Sequence, residues 1–286
     1  MSENPFHLKL NNQSIEQIKE FNFLGVLIHE NLSWDSHVKK VTNKILRTIG
    51  IISRIKHIVP NSVLKIIYSS LILSYLNYGI LVWGFKTESL FILQKKAVRL
   101  ISNAFYLEHT EKLFKRLKIL KIEDIFKMQC LKFYYKYKNE NLPNSIKNIL
   151  SNFEPSHEYS LRSISNSDQN NQLSVVNTNT VIAKECIRHY IPVFFNNLDE
   201  ELKNIVINAN SINILNSQLK KYFIDQYLDE ECILSDCYPC SMKFFHKNFF
   251  TGPLKLLHIF SYFNKFDLKL INAKDFFHKN CFFRSL

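Results

Sequence analysis

Glycine and proline are scarce in this chain, with 5 and 7 residues among 286. Few turn-forming residues lie between long periodic apolar segments, and this combination predicts a mainly α-helical fold. Hydrophobic residues make up 46% of the sequence, which is enough for a core and argues against global disorder. At this length we expect one large domain or two smaller ones.

Motifs of several enzyme classes are also missing. The sequence has no glycine-rich phosphate loop, and none of its ten histidines forms a recognisable nucleophile motif with a serine or cysteine. Its six cysteines show no disulfide-like framework, and the first ten residues hold no apolar signal-peptide segment. We therefore expect an intracellular protein, nuclear or cytoplasmic. Cys232, Cys237 and Cys240 contain a single CxxC pair, which favours free thiols over a zinc site, so no metal is predicted.

The excess positive charge lies in the first half of the chain. Residues 1–150 hold 23 Lys and Arg against 11 Asp and Glu, a difference of +12, whereas residues 151–286 hold 14 of each. Such asymmetry predicts a polyanionic partner, either nucleic acid or an anionic membrane. The uncharged run 66–85 is about as long as a membrane span. Its serines, asparagine and glycines favour a buried helix, and no membrane partner is expected, although a membrane-associated or protein-interaction helical module using this run is the alternative interpretation.

Residues 21–56 give the clearest secondary-structure pattern in the chain, a strand followed by an amphipathic helix. Residues 6–28 predict one β-hairpin, with a turn at Asn11-Asn12 and a second strand over 21–28. Ser33 is predicted to cap a helix over 33–57. One face of this helix is an apolar stripe, formed by Val38, Val41, Ile45, Ile49, Ile52, Ile55 and Val59. The opposite face carries Lys40, Lys44, Arg47 and Arg54 and is the predicted phosphate-binding face.

Further helices are predicted downstream, over 62–76, 87–102, 110–117, 122–139, 181–197 and 211–228. The first of these, 62–76, is apolar nearly all round and therefore central. Aromatics interleaved with lysines at 133–138 could stack bases, but core aromatics between solvated lysines are the preferred interpretation. Residues 151–180 are rich in Ser and Asn and predict a linker with little fixed structure.

Several motifs match one family in order and spacing. They are Phe23-Leu24-Gly25-Val26, Leu32-Ser33-Trp34, His37, Tyr68, residues 73–79 (LSYLNYG), Val82-Trp83-Gly84 and residues 93–101 (LQKKAVRLI). Looser matches follow at His157, Tyr159, Arg162, Arg188, Pro192, Phe195 and Asn196. Over residues 14–228 the chain resembles the downstream part of a reverse transcriptase from a non-LTR (LINE-type, jockey-like) retrotransposon.

The resemblance implies a fold and a limit on activity. It implies a β-hairpin from the end of a polymerase palm at 1–30, a basic thumb-like helical domain at 31–150, the linker at 151–180 and a helical C-terminal extension at 181–286. Polymerases of this family hold Mg²⁺ on palm carboxylates that include an adjacent Asp pair. This sequence has no Asp-Asp pair, and about twenty residues precede the Phe-Leu-Gly turn. The expectation is a truncated RNA-directed DNA polymerase that has no cofactor of its own and does not polymerise as an isolated chain.

The resemblance also implies a binding role. The turn at Phe23, Leu24 and Gly25 would lie near the primer terminus. The thumb helices would place further cations along the template–primer backbone: Lys39, Lys40, Lys44, Arg47, Lys95, Lys96 and Arg99, with Arg54 on the same basic face. The expected partner is an RNA/DNA duplex, together with the missing polymerase portion or the retroelement RNA.

Overall fold

A computed structural model describes residues 9–106, 108–150 and 172–227, and within these the protein is mainly helical. The strands are β1 (Lys9–Leu10), β2 (Gln13–Ser14), β3 (Glu20–Phe23) and β4 (Val26–His29). The helices of the first half are α1 (Asp35–Ile55), α2 (Asn61–Ile67), a π-helix (Tyr68–Leu73), α3 (Ser74–Asn77), α4 (Ile80–Trp83), α5 (Glu88–Ile101), α6 (Glu111–Leu117), α7 (Ile122–Lys138) and α8 (Asn144–Ile149). They are followed by α9 (Val181–Lys184), α10 (Ile187–Asn196), α11 (Glu200–Ile207) and α12 (Ile212–Asp225). The mainly α prediction is confirmed.

The N-terminal strands form two hairpins, so the prediction of a single hairpin over 6–28 is wrong. β1 pairs with β2 across the Asn11-Asn12 turn, as predicted, but β3 and β4 pair with each other. The predicted second strand is broken because Leu24 and Gly25 both have positive φ, at 47° and 86°. Two positive φ values at the central positions produce a tight two-residue hairpin turn. A leucine is an unusual residue at such a position, so the alternation of residues predicted a continuous strand here, whereas the family resemblance implied a turn.

Helix α1 buries the predicted apolar stripe. Its core residues Val38, Val41, Ile45, Ile49 and Ile52 are all buried. The helix begins two residues later than predicted, and Trp34 at its N-cap position makes no side-chain capping hydrogen bond. Ser33 lies one residue before that position, where its hydroxyl oxygen accepts the Asp35 N–H at 3.4 Å and its O–H donates to the Asp35 carboxylate at 2.5 Å.

The run from 61 to 77 is one continuous helical segment with a π-helical centre. Its fully buried residues are Leu64, Tyr68, Ile72 and Leu76, which recur every fourth residue. This segment is central, but the prediction that it is apolar on every side is too strong, because Ser69, Ser70 and Ser74 lie exposed and bond to carbonyls four residues earlier. Every helix in the described part of the chain is too short or too polar to cross a bilayer.

Helix α7 is the element on which the last helices pack. Tyr134 and Tyr135 are buried, and Tyr134 lies 4.5 Å from Phe195 of α10 between ring centroids. The core interpretation of residues 133–138 is therefore confirmed. The predicted helix over 181–197 is interrupted at Glu185 and Cys186, and α8 and α11 were not predicted.

Residues 172–178 are ordered against α10, which corrects the linker prediction at this end. The Asn196 side chain accepts a hydrogen bond from Leu173 N–H and donates to Leu173 C=O, both at 2.8 Å. His189 Nδ1 lies 2.8 Å from the Val176 carbonyl. Long-range contacts hold this segment, and its sequence has no periodic apolar pattern from which an ordered segment could be predicted. Residues 151–171, with His157, Tyr159 and Arg162, lie outside the described residues, as does the stretch from 228 to 286.

Candidate nucleic-acid interface

The Leu24-Gly25 turn is held by a residue more than fifty positions away. The Tyr78 hydroxyl donates a hydrogen bond to the Leu24 carbonyl. A Cβ on Gly25 would lie 3.5 Å from the Tyr78 ring, an ordinary contact, so the positive φ is the reason for glycine at this position. Two motifs that are separate in the sequence therefore meet at this turn.

A second contact joins β4 to the turn before α4. A Cβ on Gly79 would lie 3.2 Å from Val26 Cγ2, so the hairpin approaches the backbone there closely. Trp83 is fully buried, and its indole N–H donates to the Tyr78 carbonyl at 3.0 Å. The same segment thus fixes both the Tyr78 backbone and the neighbouring strand.

His37 joins β4 to α1 from the other side. Leu27 N–H donates to His37 Nδ1 at 3.2 Å, and the imidazole packs against Trp83 with ring centroids 5.5 Å apart. Burial, with the charges of Lys40 and Lys44 next in importance, lowers the pKa of His37 below its ordinary value. The lowered pKa favours the neutral ring, whose Nδ1 can accept the Leu27 N–H.

Lys40 and Ser36 complete the attachment of the hairpin. Lys40 Nζ donates to the Gly25 carbonyl at 3.1 Å and to Asn22 Oδ1 at 3.2 Å. The Ser36 hydroxyl donates to the Glu20 carboxylate at 2.5 Å. Because Ser36 and Lys40 lie one turn apart, a single face of α1 holds both ends of β3.

Between the hairpin and α1 lies a groove of about 500 Å³, called the basic groove below. Its lining residues are Glu20, Leu27, Ser36, Lys39, Lys40, Asn43, Lys44 and Arg47. Four of these side chains are cationic and one is a carboxylate, which already accepts a hydrogen bond. No aromatic ring is among these described lining residues, so the chemistry of the groove suits an anionic backbone rather than stacked bases.

The predicted cations on α1 differ in how freely they face solvent. Lys39, Lys44, Arg47 and Arg54 are exposed, whereas Lys40 is half-buried; Lys44 Nζ also lies 4.7 Å from the centre of the Tyr75 ring. Arg54 continues the stripe beyond the groove, so the cations cover about 22 Å along the helix at 1.5 Å per residue. The structure places Lys39, Lys40, Lys44 and Arg47 on one groove, and Lys40 also bonds to the Gly25 carbonyl of the turn; their contact with phosphate stays a prediction.

The cations of α5 do not line the basic groove. Lys96 is exposed, and Lys95 Nζ lies 4.2 Å from the centre of the Phe91 ring. Arg99 is half-buried, its Nε donates to the Glu108 carbonyl at 2.8 Å, and burial lowers its pKa. Arg99 therefore braces the loop after α5, and its predicted phosphate contact stays a prediction.

The exposed tip of the hairpin is apolar. Phe23 at the end of β3 and Leu24 in the turn after it are 55% and 74% exposed. Sequence reasoning missed two residues that hold the hairpin: Asn22, which accepts from Lys40 Nζ, and Tyr78, which donates to the Leu24 carbonyl. Alternation along β3 was a usable signal for Asn22, because it places this residue opposite Phe21 and Phe23.

Other candidate sites receive no support in the described part of the chain. Cys232, Cys237 and Cys240 lie outside it, and within it no three His, Cys, Asp or Glu side chains are grouped as metal ligands. No protein-family model matches this chain, and no curated protein or solved structure matches it either.

Proposed function

We propose that this chain binds the sugar–phosphate backbone of an RNA/DNA duplex, as the template–primer-binding part of a non-LTR retrotransposon reverse transcriptase. The observation that carries the proposal is the basic groove between the β3–β4 hairpin and α1. The motif resemblance supports the proposed reverse transcriptase family, and the basic groove supports an anionic nucleic-acid backbone as the ligand.

Electrostatics favours a polyanion at this surface. Lys39 and Arg47 are exposed cations on the groove wall, and Arg54 extends the same stripe. Cations that displace condensed counterions are the main source of sequence-independent nucleic-acid affinity. The net charge of +12 adds long-range attraction of the same sign.

The proposed role is binding, not nucleotide transfer. The family's metal site needs clustered acidic side chains on neighbouring strands. This sequence has no Asp-Asp pair, and the hairpin acid on the groove wall, Glu20, is bonded to Ser36. Polymerisation would therefore require carboxylates that these 286 residues do not supply as an Asp-Asp pair.

The first test is fluorescence anisotropy of the full chain with an RNA–DNA hybrid across a salt series. We expect affinity to fall steeply with salt. The double variant Lys39→Ala, Arg47→Ala should weaken binding and reduce the slope of log K against log salt by about 0.9 for each phosphate that is no longer neutralised. These two side chains are preferred to Lys40, because Lys40 also holds the hairpin.

The matched control is Lys220→Ala with Lys221→Ala on α12. Both side chains are exposed, and this variant removes the same two charges away from the groove lining. If it weakens binding as much as the groove variant, the effect is one of net charge and the groove assignment is wrong. Absence of binding at low salt would contradict the proposed function altogether.

A further inference from the structure

His37 lies at the joint between the β3–β4 hairpin and α1. Its side chain is buried, with 3% exposure, and its Nδ1 accepts the Leu27 N–H. A neutral imidazole has one donor and one acceptor nitrogen, so the ring proton is on Nε2. Nε2 is buried and has no hydrogen-bond partner in the described part of the chain. The contact between strand and helix therefore depends on an unprotonated Nδ1.

Protonation of His37 would break its hydrogen bond with the Leu27 N–H. A second ring proton would lie on Nδ1 and face the Leu27 N–H, so that two donors oppose each other. It would also place a positive charge in a buried position.

The described charged groups around the ring offer no compensation. From α1, Lys40 and Lys44 act on His37 with the same sign. The titratable side chains of the hairpin strands are Glu20, which accepts from Ser36, and His29, whose Nδ1 accepts from Asn31 N–H. Helix α4, which carries Trp83, contains no titratable side chain.

We propose that His37 is a proton-sensitive latch that regulates the basic groove. Neutral His37 holds β4 on α1 and keeps the groove assembled, and protonated His37 releases the hairpin. The regulatory consequence rests on the proposed function, because it takes the groove to be the nucleic-acid site; the latch itself is a property of the free protein.

The direction of the pH effect follows from where the proton binds. Burial and the two lysines lower the pKa of docked His37 below the ordinary value of 6.5, whereas a released hairpin exposes the ring to solvent. The released state therefore binds the proton more tightly. Docking is complete above pH 6.5 and weakens as the pH falls below it, by up to about tenfold at pH 5.5.

Amide hydrogen exchange of the full chain, without nucleic acid, tests the latch. The protection of the Leu27 amide is measured by NMR at pH 7.5 and 5.5, corrected for intrinsic exchange, with the Ile45 amide in α1 as the reference for general stability. We expect Leu27 protection to fall relative to Ile45, by at most about tenfold. Equal relative protection at the two pH values would overturn the proposal.

His37→Asn supplies the matched variant, because its amide oxygen can accept the Leu27 N–H and does not titrate. Leu27 protection should then be independent of pH. If the variant does not fold, the wild-type ring titration decides: its midpoint must lie below 6.5 and coincide with the loss of Leu27 protection. A ring that titrates without that loss contradicts the latch. Failure of hybrid binding, in contrast, would contradict only the proposed function.

Discussion

Gln94 is a fully buried polar residue at the centre of the helical core. Its Nε2 donates to the Tyr68 hydroxyl and to the Leu120 carbonyl, both at 2.8 Å. Its Oε1 accepts the Ile122 N–H at 2.9 Å. One side chain thereby joins the π-helix, α5 and the start of α7, and satisfies two backbone groups that no solvent reaches.

We expect Gln94→Leu to lower the free energy of unfolding by about 3 kcal/mol, because it leaves three buried polar groups without this partner. Chemical denaturation measures the change. The matched control is Gln129→Leu, where the amide lies at the surface and bonds to Asn77. If the two variants lower stability by similar amounts, Gln94 does not have this role.

The sequence could not show that Gln94 is a buried hydrogen-bonding residue, or which hydrogen bonds the cations Lys40 and Arg99 make. Gln94 precedes Lys95 and Lys96, in a context typical of a solvated helix face, and its partners lie 26 and 28 residues away. Periodicity did predict which face of α1 is basic. It could not show that Lys40 bonds to the turn or that Arg99 bonds to the Glu108 carbonyl, since both depend on tertiary contacts.

At the scale of elements, α4 packs against α7 through a glycine. A Cβ on Gly84 would lie 2.4 Å from the Ile80 carbonyl oxygen and 2.4 Å from Phe126 Cδ2. A Cβ on Gly50, within α1, would meet no described atom within 4 Å. The same substitution therefore has opposite expected effects at the two positions.

We expect Gly84→Ala to destabilise the protein by about 3 kcal/mol, since the backbone at the end of α4 must shift away from the Ile80 carbonyl and the Phe126 ring of α7 must also move. Gly50→Ala should stabilise it by about 0.5–1 kcal/mol, because alanine favours the helix more than glycine does. Thermal unfolding of both variants measures the pair. A Gly84→Ala protein as stable as the wild type would mean that α4 and α7 do not pack this closely.

Helices that bury one apolar face could be predicted from the sequence. The apolar periods of α1, α5 and α7 predicted these helices to within two residues at each end, because burial of one stripe fixes the spacing. The family resemblance included a turn at Phe23, Leu24 and Gly25, but the pairing of β3 with β4 and the order of residues 172–178 were not predicted. Both depend on contacts with distant residues, Tyr78 with the Leu24 carbonyl and Asn196 with Leu173, which leave no periodic signal.

At the scale of the whole molecule, the helices after the linker are attached to the first half through α7. The Tyr135 hydroxyl donates to the Ala209 carbonyl at 3.1 Å. The Tyr227 hydroxyl accepts the Lys121 N–H at 3.0 Å and donates to the Asp124 carboxylate at 2.5 Å, across more than 100 residues. These contacts join the end of α12 to the start of α7, and the described residues belong to one compact unit.

This arrangement predicts that the first and last described helices unfold together. Both tryptophans, Trp34 and Trp83, belong to the first half, so their fluorescence reports only on that half. Leu219 on α12 is fully buried, and Leu219→Ala should cost about 2–5 kcal/mol through the reduced burial and the cavity. In a cooperative unit, the tryptophan signal reports the whole loss of unfolding free energy, so its urea midpoint falls by that loss divided by the m-value.

Lys220→Ala at the neighbouring exposed position is the control and should leave the midpoint unchanged. A tryptophan midpoint that is insensitive to Leu219→Ala would mean that α12 unfolds independently, and the hairpin and basic groove would then form without the helices that follow α8.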